Sequence, residues 1–208
     1  MLAGALHRGL AQLAEPVEDA GMENALLAYL AELGRWNAAY NLTAVKTPLD
    51  MIFRHLLDSL SVLPWTGEGP LLDAGTGAGL PGIPLAIARP HLEVTLLDSA
   101  GKKIRFLNHV RRELGLKNVF PVQARLESYA PNDPPVQVIS RAFTDLASFA
   151  RAARHLARKP LQLLAMKGRR PEAEIKALPD WVVVESIEKL SVAGLQEQRH
   201  LVIMTVNP

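Results

Sequence analysis

The chain of 208 residues contains no cysteine, and this absence excludes several classes of protein at once. Disulfide bonds, thiolate metal sites and cysteine nucleophiles all require the missing side chain. The sequence also lacks an apolar run of about 18 residues, which a membrane-spanning helix needs, and it lacks the pattern of a secretory leader. We therefore expect a cytoplasmic protein without a membrane segment.

The excess of positive charge is also small. The formal net charge is +2, which is too weak to indicate a nucleic-acid partner by itself. Basic side chains are nevertheless clustered at 102–112 and at 151–159. Whether these clusters are solvated helix faces or RNA contacts stays open at this stage. The hydrophobic fraction of 49% is sufficient for one substantial core.

The apolar periodicity changes character along the chain. Leucines at helical spacing predict two helices in the first forty residues, and Thr47 followed by Pro48 predicts the start of a third. From Leu71 onward, short apolar runs alternate with amphipathic ones, which is typical of βαβ units. The predicted strands lie near 70–74, 92–97, 118–123, 136–140, 160–166, 181–187 and 200–206.

These elements predict an α/β fold with a seven-stranded, mainly parallel, Rossmann-like sheet. No helical pattern separates the last two strands, so they are expected to pair as an antiparallel hairpin. The first 65 residues are predicted to form a helical extension packed on a core of residues 66–208, in a single compact unit.

A glycine-rich turn in residues 71–86, LLDAGTGAGLPGIPLA, fits two classes of ligand. The pattern G-x-G-x-x-G from Gly77 is that of dinucleotide-binding folds, whereas D-x-G-x-G-x-G from Asp73 is that of S-adenosylmethionine enzymes. An acid before the turn would repel a pyrophosphate but can position the cationic end of S-adenosylmethionine. Asp73 therefore favours the sulfonium cofactor. Eight residues separate it from the helix start near Pro81, so direct capping of that helix is rejected, while capping through the loop glycines stays open.

Two further positions support nucleoside binding. Asp98 ends the second predicted strand, where an acid accepts hydrogen bonds from a ribose diol. A cap for the next helix is the less favoured interpretation, because Ser99 is available for capping. After the third strand, Leu126 and Glu127 offer an apolar contact and an acceptor that suit adenine, although an ordinary loop acid fits the spacing equally well.

The acceptor of the methyl group can be narrowed by exclusion. Carbon-5 of pyrimidines needs a cysteine nucleophile, which is missing. After the fourth strand stands Arg141, a fixed cation with no general base beside it. N7 of neutral guanine carries no proton, so transfer to it requires alignment rather than a base. The residues are therefore compatible with guanine N7 without proving it.

Eight segments resemble one family in the same order along the chain. They are WNAAYNLTAV, RHLLDSL, LLDAGTGAGLPGIPLAIARP, LLDSAGKKIRFL, ELGLKNV, VISRAF, AMKG and QRH. From about Leu26 to Val206 the chain resembles the bacterial small-subunit ribosomal RNA guanine-N7 methyltransferases, also called glucose-inhibited division protein B.

This resemblance implies methyl transfer from S-adenosylmethionine to one guanosine in the 530 loop of 16S ribosomal RNA, present as RNA or as a small-subunit particle. We expect a monomer without a metal. Together with the residue-based argument, the resemblance implies cofactor contacts at Asp73, Gly75, Gly77, Leu80, Asp98, Leu126, Glu127 and Arg141. It implies RNA contacts at Asn41, His55, Arg125, Lys167 and Arg199.

No catalytic residue is assigned, and Arg141 and Lys167 are candidates for positioning. Gln198 departs from the family pattern, which leaves the partner of Arg199 open. Three alternatives remain at this point: a small-molecule methyltransferase, an RNA-binding assembly factor that has lost transfer, and a dinucleotide oxidoreductase.

Overall fold

A computed structural model describes residues 1–15, 20–141 and 143–208. The N-terminal part is helical, as the periodicity predicts. Its helices are α1 (Leu2–Leu10), α2 (Ala20–Tyr40), α3 (Pro48–Met51) and α4 (Asp58–Leu60), with a π-helical segment, Ile52–Leu57, joining the last two. The predicted N-cap is confirmed, because Thr47 Oγ1 accepts a hydrogen bond from the N–H of Asp50 at 3.1 Å.

The remainder of the chain builds one seven-stranded sheet in the order β3-β2-β1-β4-β5-β7-β6. The strands are β1 (Leu71–Ala74), β2 (Val94–Asp98), β3 (Val119–Gln123), β4 (Gln137–Ser140), β5 (Leu161–Lys167), β6 (Val182–Leu190) and β7 (Arg199–Val206). The first five pair in parallel, and β7 runs antiparallel between β5 and β6. All seven predicted strands and the antiparallel hairpin are confirmed.

Helices follow most of the parallel strands and cover the sheet. They are α5 (Gly82–Ala88), α6 (Gly101–Glu113), α7 (Leu146–Ala153) and α8 (Glu172–Lys176). Gly115 ends α6 with a positive φ of 63°, as predicted from the sequence. None of the helices in the described part of the chain has the length and apolar character that crossing a membrane requires.

The sheet separates two apolar clusters. Leu71 and Leu96 face the same side as the N-terminal helices, α5 and α6, and Leu26 and Leu33 of α2 are fully buried in that cluster. Leu72 faces the opposite side, against α7. The helical extension therefore shares a core with the sheet.

Candidate active site at the carboxyl edge of the sheet

The strand order reverses between β1 and β4, which is where open α/β sheets bind ligands. The loop after β1 lies at this point. Gly75, Gly77 and Gly79 have φ angles of 70°, 63° and 94°, which favour glycine because a side chain is strained in that region. Tyr29 of α2 donates its buried hydroxyl hydrogen to Ala78 O at 2.8 Å, so the helical extension anchors this loop.

Asp73 is fully buried at the end of β1, and its carboxylate faces α5. Its Oδ2 accepts hydrogen bonds from Thr76 Oγ1 at 2.6 Å and from the N–H of Gly82, the first residue of α5, at 2.8 Å. The rejection of Asp73 as a helix cap is therefore wrong, because the loop folds back and brings residues distant in sequence together. Burial raises the pKa of Asp73 to about 6.

Asp73 contacts the glycine loop and α5. Its side chain does not line the cavities described below, and its contact with the cofactor stays a prediction. Gly82 permits the close approach, because a Cβ at that position would lie 2.8 Å from Asp73 Oδ2 and overlap the Leu96 side chain.

Asp98 ends β2 with both carboxylate oxygens engaged. Oδ2 accepts from the N–H of Gly77 at 3.0 Å and from Lys103 Nζ at 3.1 Å, and Oδ1 accepts from the N–H of Ala100 at 2.9 Å. The less favoured interpretation, in which Asp98 caps the next helix, is supported, since Asp98 itself accepts from the backbone where α6 begins. Asp98 is 6% exposed and lines the cavity described below as cavity A.

Three cavities lie in series along this edge. Cavity A, of about 290 Å³, cavity B, of about 200 Å³, and cavity C, of about 300 Å³, share residues at their borders. Gly75 lines both A and B, and Arg141 lines both B and C. A ligand lying across A and B would therefore end beside an acceptor placed in C.

Most of the predicted cofactor residues border cavities A and B. Cavity A is lined by Gly75, Asp98, Arg125, Leu126, Glu127 and Phe143, among others. Cavity B is lined by Leu42, Thr43, Gly75, Thr76, Gly77, Ala78, Leu80 and Arg141. Leu126 is buried, whereas Arg125 and Glu127 are exposed at the mouth of cavity A. Arg125, predicted to contact RNA, thus lies beside the cofactor residues.

A buried carboxylate joins two of the arginines that line cavity C. Asp58, only 3% exposed, accepts from Arg141 Nη1 at 3.2 Å through Oδ2 and from Arg199 Nε at 2.9 Å through Oδ1. Arg141 Nη1 also lies 3.2 Å from Arg54 O. The side-chain partner of Arg199 that the sequence left open is therefore Asp58, and Arg199 Nη1 also donates to the backbone carbonyl oxygen of Gln198 at 2.9 Å.

His55 lies on the wall of cavity C in a defined tautomer. Arg54 O can only accept, so His55 Nδ1 carries the hydrogen across their 3.0 Å contact. Thr43 Oγ1 accepts from the N–H of Val45 at 3.1 Å and donates to His55 Nε2 at 2.8 Å. Burial, followed by the nearby Arg141 charge, lowers the pKa of His55 to about 4, so the ring is neutral at pH 7.

Lys167 lines cavity C but is already paired. Its Nζ lies 2.8 Å from Glu174 Oε2 and donates to the carbonyl oxygens of Phe143 and Thr144 at 3.3 and 3.1 Å. Because Phe143 lines cavity A, this lysine connects the acceptor side of the site to the cofactor side.

Asn41 is not brought into the cavities. It is exposed and follows α2 with a φ of 49°, the left-handed conformation that ends helices. Sequence reasoning missed Thr43 and Asp58, which do line the site. A signal for Asp58 was present, because an acid three residues after His55 lies on the same helical face.

The residues around cavities A and B fit S-adenosylmethionine. Leu126 and Glu127 suit adenine, Asp98 suits the ribose, and the glycine backbone with Arg141 suits the amino-acid end. Asp73 Oδ1 is buried and has no hydrogen-bond partner among the described residues, so negative charge lies behind the loop where a cationic group would bind. Together the cavities reach the range of small-molecule sites, roughly 300–1,000 Å³.

A mainly parallel sheet with this first loop, an acid closing β2 and an antiparallel β7 defines the Rossmann-like methyltransferase class. A solved structure of a SAM dependent methyltransferase from Aquifex aeolicus has the same fold, with a TM-score of 0.56 at 19% identity, covering 73% of this chain and 90% of that one. The family model of rRNA small subunit methyltransferase G, GidB, matches residues 22–202. The chain therefore belongs to this family.

Full-length relatives agree with this membership. Ribosomal RNA small subunit methyltransferase G of Alkalilimnicola ehrlichii is 50% identical over 201 residues, covering 97% of this chain and 91% of the relative. The Salmonella arizonae protein of the same name is 48% identical over 205 residues, covering 95% and 99%. The family resemblance, the fold class and the methyltransferase class predicted from the sequence are confirmed.

Proposed function

We propose that this chain transfers the methyl group of S-adenosylmethionine to N7 of one guanosine in the 530 loop of 16S ribosomal RNA. The observation that carries the proposal is the series of cavities, in which Arg141 borders both the cofactor end and the acceptor end. Family membership supports an RNA substrate, since the relatives are named for methylation of small-subunit ribosomal RNA.

Cavities A and B hold the cofactor in this proposal. Leu126 packs against the adenine, Glu127 accepts from its exocyclic amine, and Asp98 accepts from the ribose hydroxyls. The backbone of Gly75 and Gly77 approaches the amino-acid end. When bound, the cofactor supplies an activated methyl group on a sulfonium. Asp73 acts indirectly by fixing this loop against α5.

Cavity C holds the target guanine, splayed out of its RNA stack. No general base is needed, because N7 carries no proton, and the neutral His55 and the paired Lys167 are consistent with a site built for alignment. Arg199 and those N–H groups of Arg141 that have no partner among the described residues are placed to donate to the guanine O6 or to a phosphate. Arg125 at the mouth of cavity A is placed to contact the RNA backbone.

The remaining expectations are part of the same proposal. The substrate is 16S ribosomal RNA or the small-subunit particle, the protein acts in the cytoplasm as a monomer, and no metal takes part. Support for the last point is that the described residues contain no group of three or more His, Asp or Glu side chains arranged to hold an ion.

Methyl transfer to RNA tests the function directly. Small-subunit RNA and intact 30S particles from a strain lacking the gene would be incubated with the protein and isotope-labelled S-adenosylmethionine, then digested to nucleosides. We expect label in 7-methylguanosine at a single site in the 530 loop. RNA binding without labelled nucleoside would contradict the proposal and favour an assembly factor, and label on metabolites alone would favour a small-molecule enzyme.

A further inference from the structure

We propose that Asp58 is a positioning residue for methyl transfer, which holds Arg141 and Arg199 in place at the acceptor cavity. The inference rests on the proposed function and adds a residue to its machinery. Asp58 uses one carboxylate oxygen for each arginine, at 3.2 Å and 2.9 Å. A single side chain thereby fixes the relative positions of two guanidinium groups that belong to different parts of the sheet.

The three partners come from separate parts of the fold. Asp58 opens α4 directly after the π-helical segment, Arg141 follows β4, and Arg199 begins β7. Strand pairing alone does not fix the relative position of the two arginines, because β4 and β7 are not neighbours in the sheet. A π-helical segment widens the helix and is frequent at functional sites, and here it separates α3 from the turn that carries Asp58.

The surroundings of Asp58 make the carboxylate hard to replace. Its side chain is 4% exposed, whereas those of Arg141 and Arg199 are 29% and 21% exposed. The Asp58 carboxylate is therefore buried behind the two arginines, and each arginine keeps part of its side chain exposed at cavity C. An amide at this position replaces one of the two oxygens with an NH2 group, which would place a donor against an arginine N–H, so the pairing of one oxygen with each arginine would be lost.

Asp58 also sets the charge of the acceptor cavity. Arg54, Arg141, Lys167 and Arg199 all line cavity C, and Asp58 is the carboxylate among its described lining residues. The guanine becomes positively charged as N7 accepts the methyl group. A buried carboxylate behind two arginines offsets their repulsion of that charge while keeping their N–H groups available.

Two variants separate position from charge. Asp58→Asn removes the charge and one acceptor, and Asp58→Glu keeps the charge but displaces it by one methylene group. Ser59→Ala is the matched control, because Ser59 is fully buried beside Asp58 and its Oγ has no partner among the described residues. For each protein, kcat, KM for RNA, cofactor affinity by calorimetry and the salt dependence of RNA binding would be measured.

Both Asp58 variants should lower kcat, by about 100-fold for Asp58→Asn and at least 10-fold for Asp58→Glu, because small displacements of positioning groups cost that much. RNA affinity should not fall in proportion to kcat in either variant. In Asp58→Asn the freed positive charge should steepen the dependence of log K on log salt by about 0.7 to 0.9, whereas Asp58→Glu should keep the wild-type slope. Ser59→Ala should keep the wild-type kcat.

A kcat within threefold of wild type in folded Asp58→Glu or Asp58→Asn would overturn the inference. So would a loss of kcat and RNA affinity in equal proportion, since that result indicates a structural role alone. If Asp58→Asn does not fold, Asp58→Glu decides. A wild-type protein that forms no 7-methylguanosine would instead refute the proposed function, so the two failures are distinguishable.

Discussion

Replacing Gly82 by alanine tests the close contact between the buried Asp73 of β1 and the first residue of α5. The added Cβ would lie 2.8 Å from Asp73 Oδ2 and would overlap Leu96 Cδ2. Asp73 and the first turn of α5 would have to separate. The 2.8 Å hydrogen bond from the Gly82 N–H to Asp73, which caps the helix, would then be lost or lengthened.

The expected loss of stability in Gly82→Ala is the sum of three contributions. Loss of a helix cap costs about 1 kcal/mol, and forcing an extra carbon into a packed site costs about 1–3 kcal/mol. Alanine returns up to about 1 kcal/mol relative to glycine in a helix. The free energy of unfolding should therefore fall by about 1–3 kcal/mol, which lowers Tm by roughly 3–10 °C for a chain of this size.

Thermal and urea unfolding would measure this loss, and calorimetry would measure the accompanying fall in S-adenosylmethionine affinity. Gly34→Ala is the matched control, because Gly34 lies within α2 and a Cβ there meets nothing within 4 Å. That variant should be more stable by about 0.5–1 kcal/mol. Wild-type stability in Gly82→Ala would refute the tight contact between Asp73 and α5.

Three further predictions follow from the site. His55→Gln should remove a pH-dependent contribution to stability: the folded pKa of about 4 lies below the ordinary 6.5, so the difference in free energy of unfolding between wild type and variant should shift by about 3 kcal/mol in favour of the wild type as pH rises from 4 to 6.5, measured by urea unfolding. Gly75→Arg should abolish calorimetric S-adenosylmethionine binding, because Gly75 borders cavities A and B and has a φ of 70°. Lys167→Met should weaken RNA binding and make the slope of log K against log salt shallower by about 1. Cofactor affinity should fall less than RNA affinity, because Lys167 reaches the cofactor side only through its hydrogen bond to Phe143 O.

Each of these predictions has an outcome that contradicts it. Parallel pH profiles for wild type and His55→Gln would mean that the imidazole is not held neutral. The raised pKa of Asp73 acts in the opposite direction, since its stabilising effect is lost as pH rises toward 6, but it is common to both proteins and cancels in the difference. Retained cofactor binding in Gly75→Arg, or equal loss of both ligands in Lys167→Met, would count against the assigned roles.

The local features of this fold could be predicted from the sequence because neighbouring residues determine them. Thr47 and Pro48 begin a helix through a bond made within three residues, and Gly115 ends one through its own backbone freedom. The strands were readable because buried parallel strands are short apolar runs. The glycine loop, with the acids that close β1 and β2, indicated the methyl-donor class before any contact was known.

Contacts between distant residues were decided only by the tertiary structure. Asp73 caps α5 because the loop returns to its starting strand, although sequence separation had argued against it. Asp58 joins Arg141 and Arg199 across 83 and 141 positions, and no periodicity encodes such a meeting. Sequence pattern specifies which face a side chain occupies, whereas the packing of helices on a twisted sheet specifies which faces meet. The cofactor class of the glycine loop could therefore be predicted from the sequence, whereas the alignment of the cofactor cavities with the acceptor cavity is decided by the tertiary structure.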